Sequence, residues 1–214
     1  MCGRYYNFIT KDEITCLTNS ELISEYINYN IVPTSEIPIV IDNKIIGAKW
    51  GFYPTWLKEM KDSKPLINAR LETILEKKTF KTPFKKRRCL VLMSGWYEWK
   101  QEDDNKIPYA FYKSKYEPIK VAGIYSYRSD KTIEACILTK NATDDLKNIH
   151  ERMPVVLDGD LIDNWLDEEI DINLLIDKLR NEYKNIEYHR VDIAVNNPKN
   201  NNKKLYQEYS ELPF

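Results

Sequence analysis

The region between Cys89 and Thr139 most constrains the fold, because it contains four strand-like runs in succession with only short polar connections. The runs are Cys89 to Trp99, Tyr109 to Lys113, Ile119 to Tyr127 and Ile133 to Thr139. Each is rich in aliphatic or aromatic residues, and no connection between them is long enough to hold a crossover helix. Consecutive strands joined in this way pair antiparallel, so an antiparallel sheet is predicted for the centre of the protein.

Helices and a hairpin are predicted around this sheet. Thr10 and Glu13 form a capping box, which indicates a helix running to about Tyr26. The remaining predicted elements are a hairpin of Ile37 to Ile41 and Ile45 to Trp50, helices over Asn68 to Phe80 (between Pro65 and Pro83), Thr143 to His150 and Ile172 to Tyr183, and a strand near Tyr188 to Ile193. This mixed order predicts an α+β fold.

Charge excludes a uniformly basic nucleic-acid-binding surface. The 214 residues are 43% hydrophobic, enough for a sizeable core, and 32 Lys+Arg against 33 Asp+Glu leave a net charge of -1. The stretch from Lys77 to Arg88 nevertheless holds seven basic residues and no acidic one. This stretch is either a phosphate-binding patch or a solvated surface, and composition alone does not separate the two.

Targeting and cofactor signals are absent from the sequence. No apolar run approaches the roughly 20 residues that span a bilayer, and Lys11 to Glu13 interrupt any signal peptide, so we expect a cytoplasmic protein without membrane contact. Only two histidines and no CxxC pair are present, and no glycine-rich nucleotide motif occurs, so neither a metal nor a cofactor is expected. Three of the four cysteines, Cys16, Cys89 and Cys136, adjoin apolar residues and are predicted to pack in the core.

Cys2 is the most informative single position. Removal of Met1 would leave an α-amine and a thiol on one residue. The amine has an ordinary pKa of about 7.7 to 8, so it can condense with an aldehyde, after which the thiol closes a five-membered thiazolidine. Two interpretations compete with this one: an N-terminal-nucleophile amidase or peptidase in which the amine activates the thiol, and an incidental cysteine.

Glu98 and His150 are the candidates for proton transfer. Strand alternation puts Glu98 and Trp96 on the face opposite Tyr97 and Trp99. Burial among these aromatic residues would raise the pKa of the Glu98 carboxyl into a range suited to acid–base catalysis, whereas a surface ion pair would not. His150 ends a predicted helix and titrates near neutral pH, although a capping or core histidine would show the same pattern.

Other polar and aromatic residues are candidates for ligand contacts. Asn68 is predicted to begin a helix, where its amide could bind a ligand or cap the helix. Arg4 and Arg70 could bind phosphate through bidentate contacts, or form surface ion pairs. Trp56 and Trp99 could stack on bases, or fill the core.

A series of short motifs, taken together and in this order, resembles the SRAP family, the SOS response-associated peptidase domain. The motifs are Met1-Cys2-Gly3-Arg4, Tyr29-Asn30-Ile31-Val32-Pro33-Thr34, Trp50-Gly51-Phe52, Ile67-Asn68-Ala69-Arg70-Leu71-Glu72-Thr73, Gly95-Trp96-Tyr97-Glu98-Trp99, Ile137-Leu138-Thr139, His150-Glu151-Arg152-Met153-Pro154 and Val195-Asn196-Asn197-Pro198-Lys199-Asn200. They extend over nearly the whole chain. We therefore expect one SRAP-like domain over residues 1–214, with a mainly antiparallel, barrel-like central sheet flanked by several helices and a polar loop or tail near residues 196–204.

The resemblance also implies a function. It implies a sensor of abasic sites in single-stranded DNA that forms a covalent thiazolidine crosslink after Met1 is removed, with peptidase activity toward its own Met1 and lyase-type imine chemistry. The implied catalytic residues are Cys2 as nucleophile, Asn68 holding the crosslink, Glu98 moving protons and His150 assisting ring-opening or reversal, and the implied DNA contacts are Arg4, Arg70, Trp99, Thr139 and Arg152. A monomer without cofactor is expected, acting on single-stranded DNA with replication-fork proteins as partners.

Overall fold

The computed structural model describes residues 2–13, 26–53, 64–181, 183 and 185–210. Its strands are β1 (Tyr5–Asn7), β2 (Asn28–Ile31), β3 (Glu36–Ile41), β4 (Lys44–Trp50), β5 (Asn68–Arg70), β6 (Arg88–Met93), β7 (Gly95–Glu102), β8 (Asn105–Lys113), β9 (Ile119–Tyr127), β10 (Ile133–Asn141), β11 (Arg152–Pro154), β12 (Val156–Leu157) and β13 (Ile186–Arg190). The α-helices with both ends in these ranges are Lys78–Lys86, Asp144–Lys147, Asp160–Leu166 and Ile172–Arg180, and none of the described helices is long and apolar enough to cross a membrane.

Five strands close into a barrel. Pairing runs from β10 through β4, β3, β6 and β9 and returns to β10. All of these pairs are antiparallel except β4 with β10. β5 also pairs parallel with β10, beyond the end of β4, and places Asn68 opposite Ile137. The predicted α+β fold with a mainly antiparallel, barrel-like sheet is therefore confirmed.

A second, fully antiparallel sheet has the order β13-β8-β7-β1-β2. The chain passes from the barrel into this sheet at Ser94, whose backbone N–H donates to the carbonyl of Tyr6. Gly95 is required at the crossing, because a Cβ there would lie 2.2 Å from both the Tyr6 hydroxyl and the Phe111 carbonyl oxygen. The predicted single strand from Cys89 to Trp99 is consequently two strands in two sheets.

Side chains of the barrel strands alternate between two apolar clusters. Ile37, Ile39 and Val91 pack in one cluster with Trp96 and Cys2, which belong to the second sheet and the segment before it. The intervening residues pack in another cluster with the helices, through Phe80, Phe84, Trp165, Leu175 and Leu179. The helices therefore pack on the outer face of the barrel strands. The second sheet packs against the side chains on the inner face of those strands.

Two local predictions are confirmed in detail. The hairpin turns at Asp42 and Asn43, whose φ angles of 48° and 59° give the two-residue turn that suits the right-handed twist of the strands. In the capping box, the backbone N–H of Thr10 donates to Glu13 Oε2 at 2.8 Å, and that of Glu13 donates to Thr10 Oγ1 at 3.3 Å. The rest of that predicted helix lies largely outside the described residues.

The helix predicted over Asn68 to Phe80 is wrong. Its first three residues form β5, because pairing with β10 satisfies their backbone groups and overrides the helical spacing of the apolar residues that follow. Leu71–Thr73 form one 3-10 turn, and the α-helix begins only at Lys78 and contains Pro83, which was expected to lie beyond it. The sequence also gave no signal for the helix Asp160–Leu166 or for β1, β2, β11 and β12.

Candidate active site

Cys2 lies just before β1 and is fully buried. Its carbonyl oxygen accepts a hydrogen bond of 2.8 Å from Asn68 Nδ2. The pKa of the Cys2 thiol is raised, above all by burial and also by the negative charge of the nearby Glu98 carboxylate. The thiol is therefore protonated at neutral pH and needs a proton acceptor before it can act as a nucleophile.

Glu98 extends from β7 toward Cys2 with only 3% of its side chain exposed. Burial raises the pKa of its carboxyl from 4.5 to about 7. Its neighbours in β7 alternate as predicted: Trp96 packs toward the barrel, and Tyr97 and Trp99 pack on the opposite face. At physiological pH this carboxyl is divided between its protonated and ionised forms, as a group that both takes and returns protons must be.

His150 faces Glu98, with its Nε2 at 3.7 Å from Glu98 Oε2. Its Nδ1 lies 3.0 Å from the backbone nitrogen of Arg152, which can only donate. Nδ1 also lies 3.2 Å from the Arg152 carbonyl oxygen, so its contacts fit either tautomer of the neutral imidazole, and Nε2 is the nitrogen turned toward the carboxyl. The pKa of His150 is lowered from its ordinary 6.5, chiefly by burial, which favours this neutral form.

Asn68 occupies the first position of β5 rather than the start of a helix. Pairing of β5 with β10 fixes its backbone, so its side chain reaches Cys2 from a rigid strand. Among the described residues, no donor reaches its buried Oδ1. The amide thus holds the Cys2 backbone with one atom and offers an acceptor to a ligand with the other.

A cavity of about 480 Å³ opens beside these groups, lined by Arg4, Glu98, Trp99, Lys106, His150 and Asn196. The Arg4 guanidinium carbon lies 5.7 Å from the centroid of the Trp99 ring, within the range of a cation–π contact. Arg4 Nε is buried and has no acceptor among the described residues. The cavity therefore combines a flat aromatic surface with an unused cationic donor.

The predicted DNA-contacting residues Arg70, Thr139 and Arg152 lie together at the pairing of β5 with β10. Arg70 is exposed and pairs with Thr139, which is fully buried. Arg152 forms two parallel hydrogen bonds with Glu72, at 2.7 and 2.8 Å, and also donates to the Thr139 carbonyl at 2.8 Å and to Asn141 Oδ1 at 2.6 Å. Of these three residues, Arg70 is thus the one with an exposed side chain. Thr139 is buried beneath Arg152, which donates to its carbonyl oxygen.

The basic stretch from Lys77 to Arg88 contains both exposed and buried residues in the structure. The helical residues Lys78, Lys81, Lys85 and Lys86 are exposed. Arg88 is buried and donates to the backbone carbonyls of Trp165, at 2.6 Å, and of Asp167. Arg88 therefore holds the C-terminal end of the helix Asp160–Leu166, and its guanidinium is not available to a phosphate group.

Three functional neighbours were not identified as site residues from the sequence. Asn30 bonds Arg4, Asn196 bonds Trp99, and Lys106 lines the cavity. Asn30 and Asn196 each lie within a family-like motif, which was the available signal, whereas no feature of the sequence marked Lys106.

Cys89 and Cys136 are buried as predicted, while Cys16 and Trp56 lie outside the described residues. Within the described ranges, no group of three His, Cys, Asp or Glu residues could hold a metal ion.

The family model of the SOS response associated peptidase (SRAP) matches residues 1–198. The chain belongs to the SRAP family. It is 30% identical to the abasic site processing protein YoqW of Bacillus subtilis, over 98% of this chain and 100% of YoqW. It is also 30% identical to the abasic site processing protein YedK of Escherichia coli, over 79% of this chain and 81% of YedK. Among solved structures, a protein from Bacteroides thetaiotaomicron superposes with a TM-score of 0.82 at 23% identity, covering 96% of this chain and 99% of that one, which supports the SRAP fold.

Proposed function

We propose that this SRAP protein detects abasic sites in single-stranded DNA and forms a thiazolidine crosslink to them through Cys2 once Met1 is removed. The observation that carries the proposal is the convergence of four side chains: Cys2 held by Asn68, with the Glu98–His150 pair beside it. The relatives named above are called abasic site processing proteins, which supports the same lesion as the target.

The crosslink forms in two steps. The Cys2 amine attacks the aldehyde carbon of the ring-opened abasic deoxyribose, and loss of water gives an imine. The Cys2 sulfur then adds to the imine carbon while the imine nitrogen takes up a proton, so that a C–S bond replaces the second C–N bond and a five-membered ring closes. Both nucleophiles belong to one residue, so the second attack has a high effective concentration.

Glu98 and His150 manage the protons of both steps. The imine forms by loss of water, which needs a protonated acid, and the thiol needs a base when it adds. A carboxyl with a pKa of about 7 serves in either form, and Nε2 of His150 faces it across 3.7 Å. Asn68 Oδ1, which is buried and accepts from no donor among the described residues, would accept the new N–H of the ring and so hold the product against hydrolysis.

DNA binding on this proposal involves the cavity walls. A phosphate oxygen would satisfy Arg4 Nε, and relief of a buried donor without an acceptor is worth about 1–3 kcal/mol. Trp99 offers a surface for stacking a neighbouring base, which tolerates any sequence. Arg70 adds positive charge at the β5–β10 pairing, beside Arg152, whose charge the Glu72 carboxylate balances. We expect the protein to act as a monomer on single strands.

Removal of Met1 is a requirement of this chemistry. While Met1 is attached, the Cys2 nitrogen is an amide and cannot form an imine. The protein itself is the proposed peptidase for this one bond, and an imine that is not trapped by the thiol would drive β-elimination, which is the lyase-type chemistry of the proposal.

The test uses purified, tagless protein with a single-stranded oligonucleotide carrying one abasic site, analysed by denaturing gel and intact mass. A covalent, heat-stable shift with a mass lacking Met1 is expected. Cys2→Ser retains the amine and loses the thiol, so the stable crosslink should disappear while strand cleavage through the imine persists. A variant with an N-terminal extension, in which the Cys2 nitrogen remains an amide while the thiol is free, is the matched control and should give neither product, because both products require the imine.

Two outcomes would contradict the proposal. A heat-stable crosslink formed by Cys2→Ser would exclude thiazolidine chemistry. No shift despite confirmed removal of Met1 would favour an N-terminal-nucleophile hydrolase, which should then turn over a peptide substrate without DNA.

A further inference from the structure

The segment of residues 192–202, here called the 192–202 loop, is held in place by its own side chains. Asp192 Oδ1 accepts from the backbone N–H of Ala194 at 2.7 Å, and Asn197 Oδ1 accepts from that of Lys199 at 3.1 Å. Asn200 Nδ2 donates to the Ala194 carbonyl at 2.8 Å. The Asn-rich composition that suggested a loop or tail therefore builds a loop of fixed shape.

Asn30 in β2 connects this loop to Arg4. Its Nδ2 lies within 3.3 Å of the carbonyl oxygens of Val195, Asn197 and Asn200, and its Oδ1 accepts from Arg4 Nη1 at 2.8 Å. The same Nη1 donates to the Val195 carbonyl, also at 2.8 Å. Asn30 is 3% exposed, so these contacts are shielded from water. The guanidinium of Arg4 is thereby fixed at Nη1, with its Nε left for a ligand.

Asn196 fixes the second wall of the cavity. Its Oδ1 accepts a hydrogen bond of 2.7 Å from Nε1 of the Trp99 indole. The Trp99 ring in turn lies under the Arg4 guanidinium. One loop thus holds both the cation and the aromatic ring, through the Val195 carbonyl and Asn196 Oδ1.

We infer that Asn30 and Asn196 are positioning residues for DNA recognition, acting through Arg4 and Trp99 respectively. The inference rests on the proposed function and deepens it, because it identifies the element that shapes the binding surface for the strand beside the lesion. An unrestrained arginine loses side-chain entropy when it binds a ligand, and the contacts of Nη1 with Asn30 and Val195 restrict Arg4 before DNA binds. The loop therefore contributes to affinity and leaves the reacting groups untouched.

The first experiment measures binding and chemistry separately. Binding is followed by fluorescence anisotropy with a single strand containing tetrahydrofuran, an abasic analogue without an aldehyde, and crosslinking by single-turnover kinetics at saturating DNA with a true abasic site. Asn30→Ala and Asn196→Ala should each weaken binding about tenfold or less, the value of one hydrogen bond. Their crosslinking rates at saturation should equal that of the wild type, a split that general loss of structure would not produce.

Double variants test the route of each effect. Asn196→Ala should cause no further loss of affinity in a Trp99→Phe background, because the indole N–H is already gone. Asn30→Ala should cost less affinity in an Arg4→Ala background than alone, because only its bonds to the carbonyls of Val195, Asn197 and Asn200 remain. Asn202→Ala is the matched control: it removes a hydrogen bond of 3.1 Å that Asn202, the last residue of the loop, accepts from the backbone N–H of Lys204 just beyond it. This variant should bind as the wild type does.

Independent, multiplicative losses in the double variants would overturn the inference, and so would an equal loss of affinity in Asn202→Ala. If Asn30→Ala does not fold, as judged by thermal melting, the Asn196 and Trp99 pair decides the matter. The proposed function fails separately, when the wild-type protein gives no crosslink at all. If the wild-type protein forms the crosslink but the double variants show independent losses of affinity, only the role of the 192–202 loop is rejected.

Discussion

Replacing Glu98 by Gln should make the protein more stable at alkaline pH while slowing the crosslink. The carboxyl has a pKa of about 7 in the folded protein and 4.5 ordinarily. Between these values the folded protein keeps a proton that the unfolded chain releases, so the free energy of unfolding falls as pH rises through this window. The loss is complete above about pH 7, and it is absent in Glu98→Gln, whose side chain does not titrate.

The size of the effect follows from the same two pKa values. Each pKa unit is worth about 1.4 kcal/mol, so the difference between 4.5 and about 7 corresponds to about 3 kcal/mol. Because the Glu98 side chain is only 3% exposed, solvent screening reduces this figure little. Glu98→Gln should therefore match the wild type near pH 4.5 and exceed it by about 3 kcal/mol at pH 8.

Urea denaturation of both proteins at intervals between pH 4.5 and 8 measures this difference. Glu72→Gln is a control of opposite sign: burial acts to raise the pKa of Glu72, but hydrogen bonds from Arg152 outweigh it and lower the pKa. The stability that Glu72 contributes should be present above pH 4.5 and disappear as pH falls through its folded pKa, so Glu72→Gln should be the less stable protein at neutral pH.

Activity should change in the opposite direction. Loss of a general acid–base group slows a reaction by about 10²- to 10⁴-fold, so Glu98→Gln should crosslink that much more slowly. Parallel stability curves for the wild type and Glu98→Gln would refute the raised pKa. An unchanged crosslinking rate would remove Glu98 from the proton transfers.

Three further outcomes are expected. His150→Ala should slow reversal of the crosslink, followed by release of labelled DNA after transfer to excess unlabelled abasic DNA; unchanged reversal would exclude His150 from that step. Binding of the tetrahydrofuran strand should weaken with salt, and Arg70→Ala should reduce the slope of log K against log salt by about 0.7, the value for one phosphate contact on a single strand; an unchanged slope would mean that Arg70 makes no such contact. Arg152→Lys should lower the free energy of unfolding by about 2 kcal/mol, because lysine cannot form the two parallel bonds to Glu72; an unaltered urea midpoint would show that this network does not stabilise the fold.

Local sequence was sufficient wherever a structure depends on residues close together in the chain. The turn at Asp42 and Asn43 and the capping box of Thr10 and Glu13 involve contacts across at most three positions, and both were predicted. Strand alternation likewise placed Glu98 on the face opposite Trp99 before any fold was known. The order of the motifs also identified the family, because short motifs can be recognised along the chain without any tertiary contact.

Long-range pairing decided what local pattern could not. Asn68 stands at the start of a stretch whose apolar spacing suits a helix. Parallel pairing with a strand more than sixty residues away instead places Asn68 in a strand, from which its amide donates to the Cys2 carbonyl. The pKa of the Glu98 carboxyl depends on how deeply the fold buries it, and the neighbouring residues in the sequence do not determine that burial. The bonds from Asn30 to Arg4 and from Asn196 to Trp99 join residues 26 and 97 positions apart. The sequence by itself therefore determined which groups could react, and the tertiary structure decided their protonation and their contacts, because burial and distance arise only when remote segments meet.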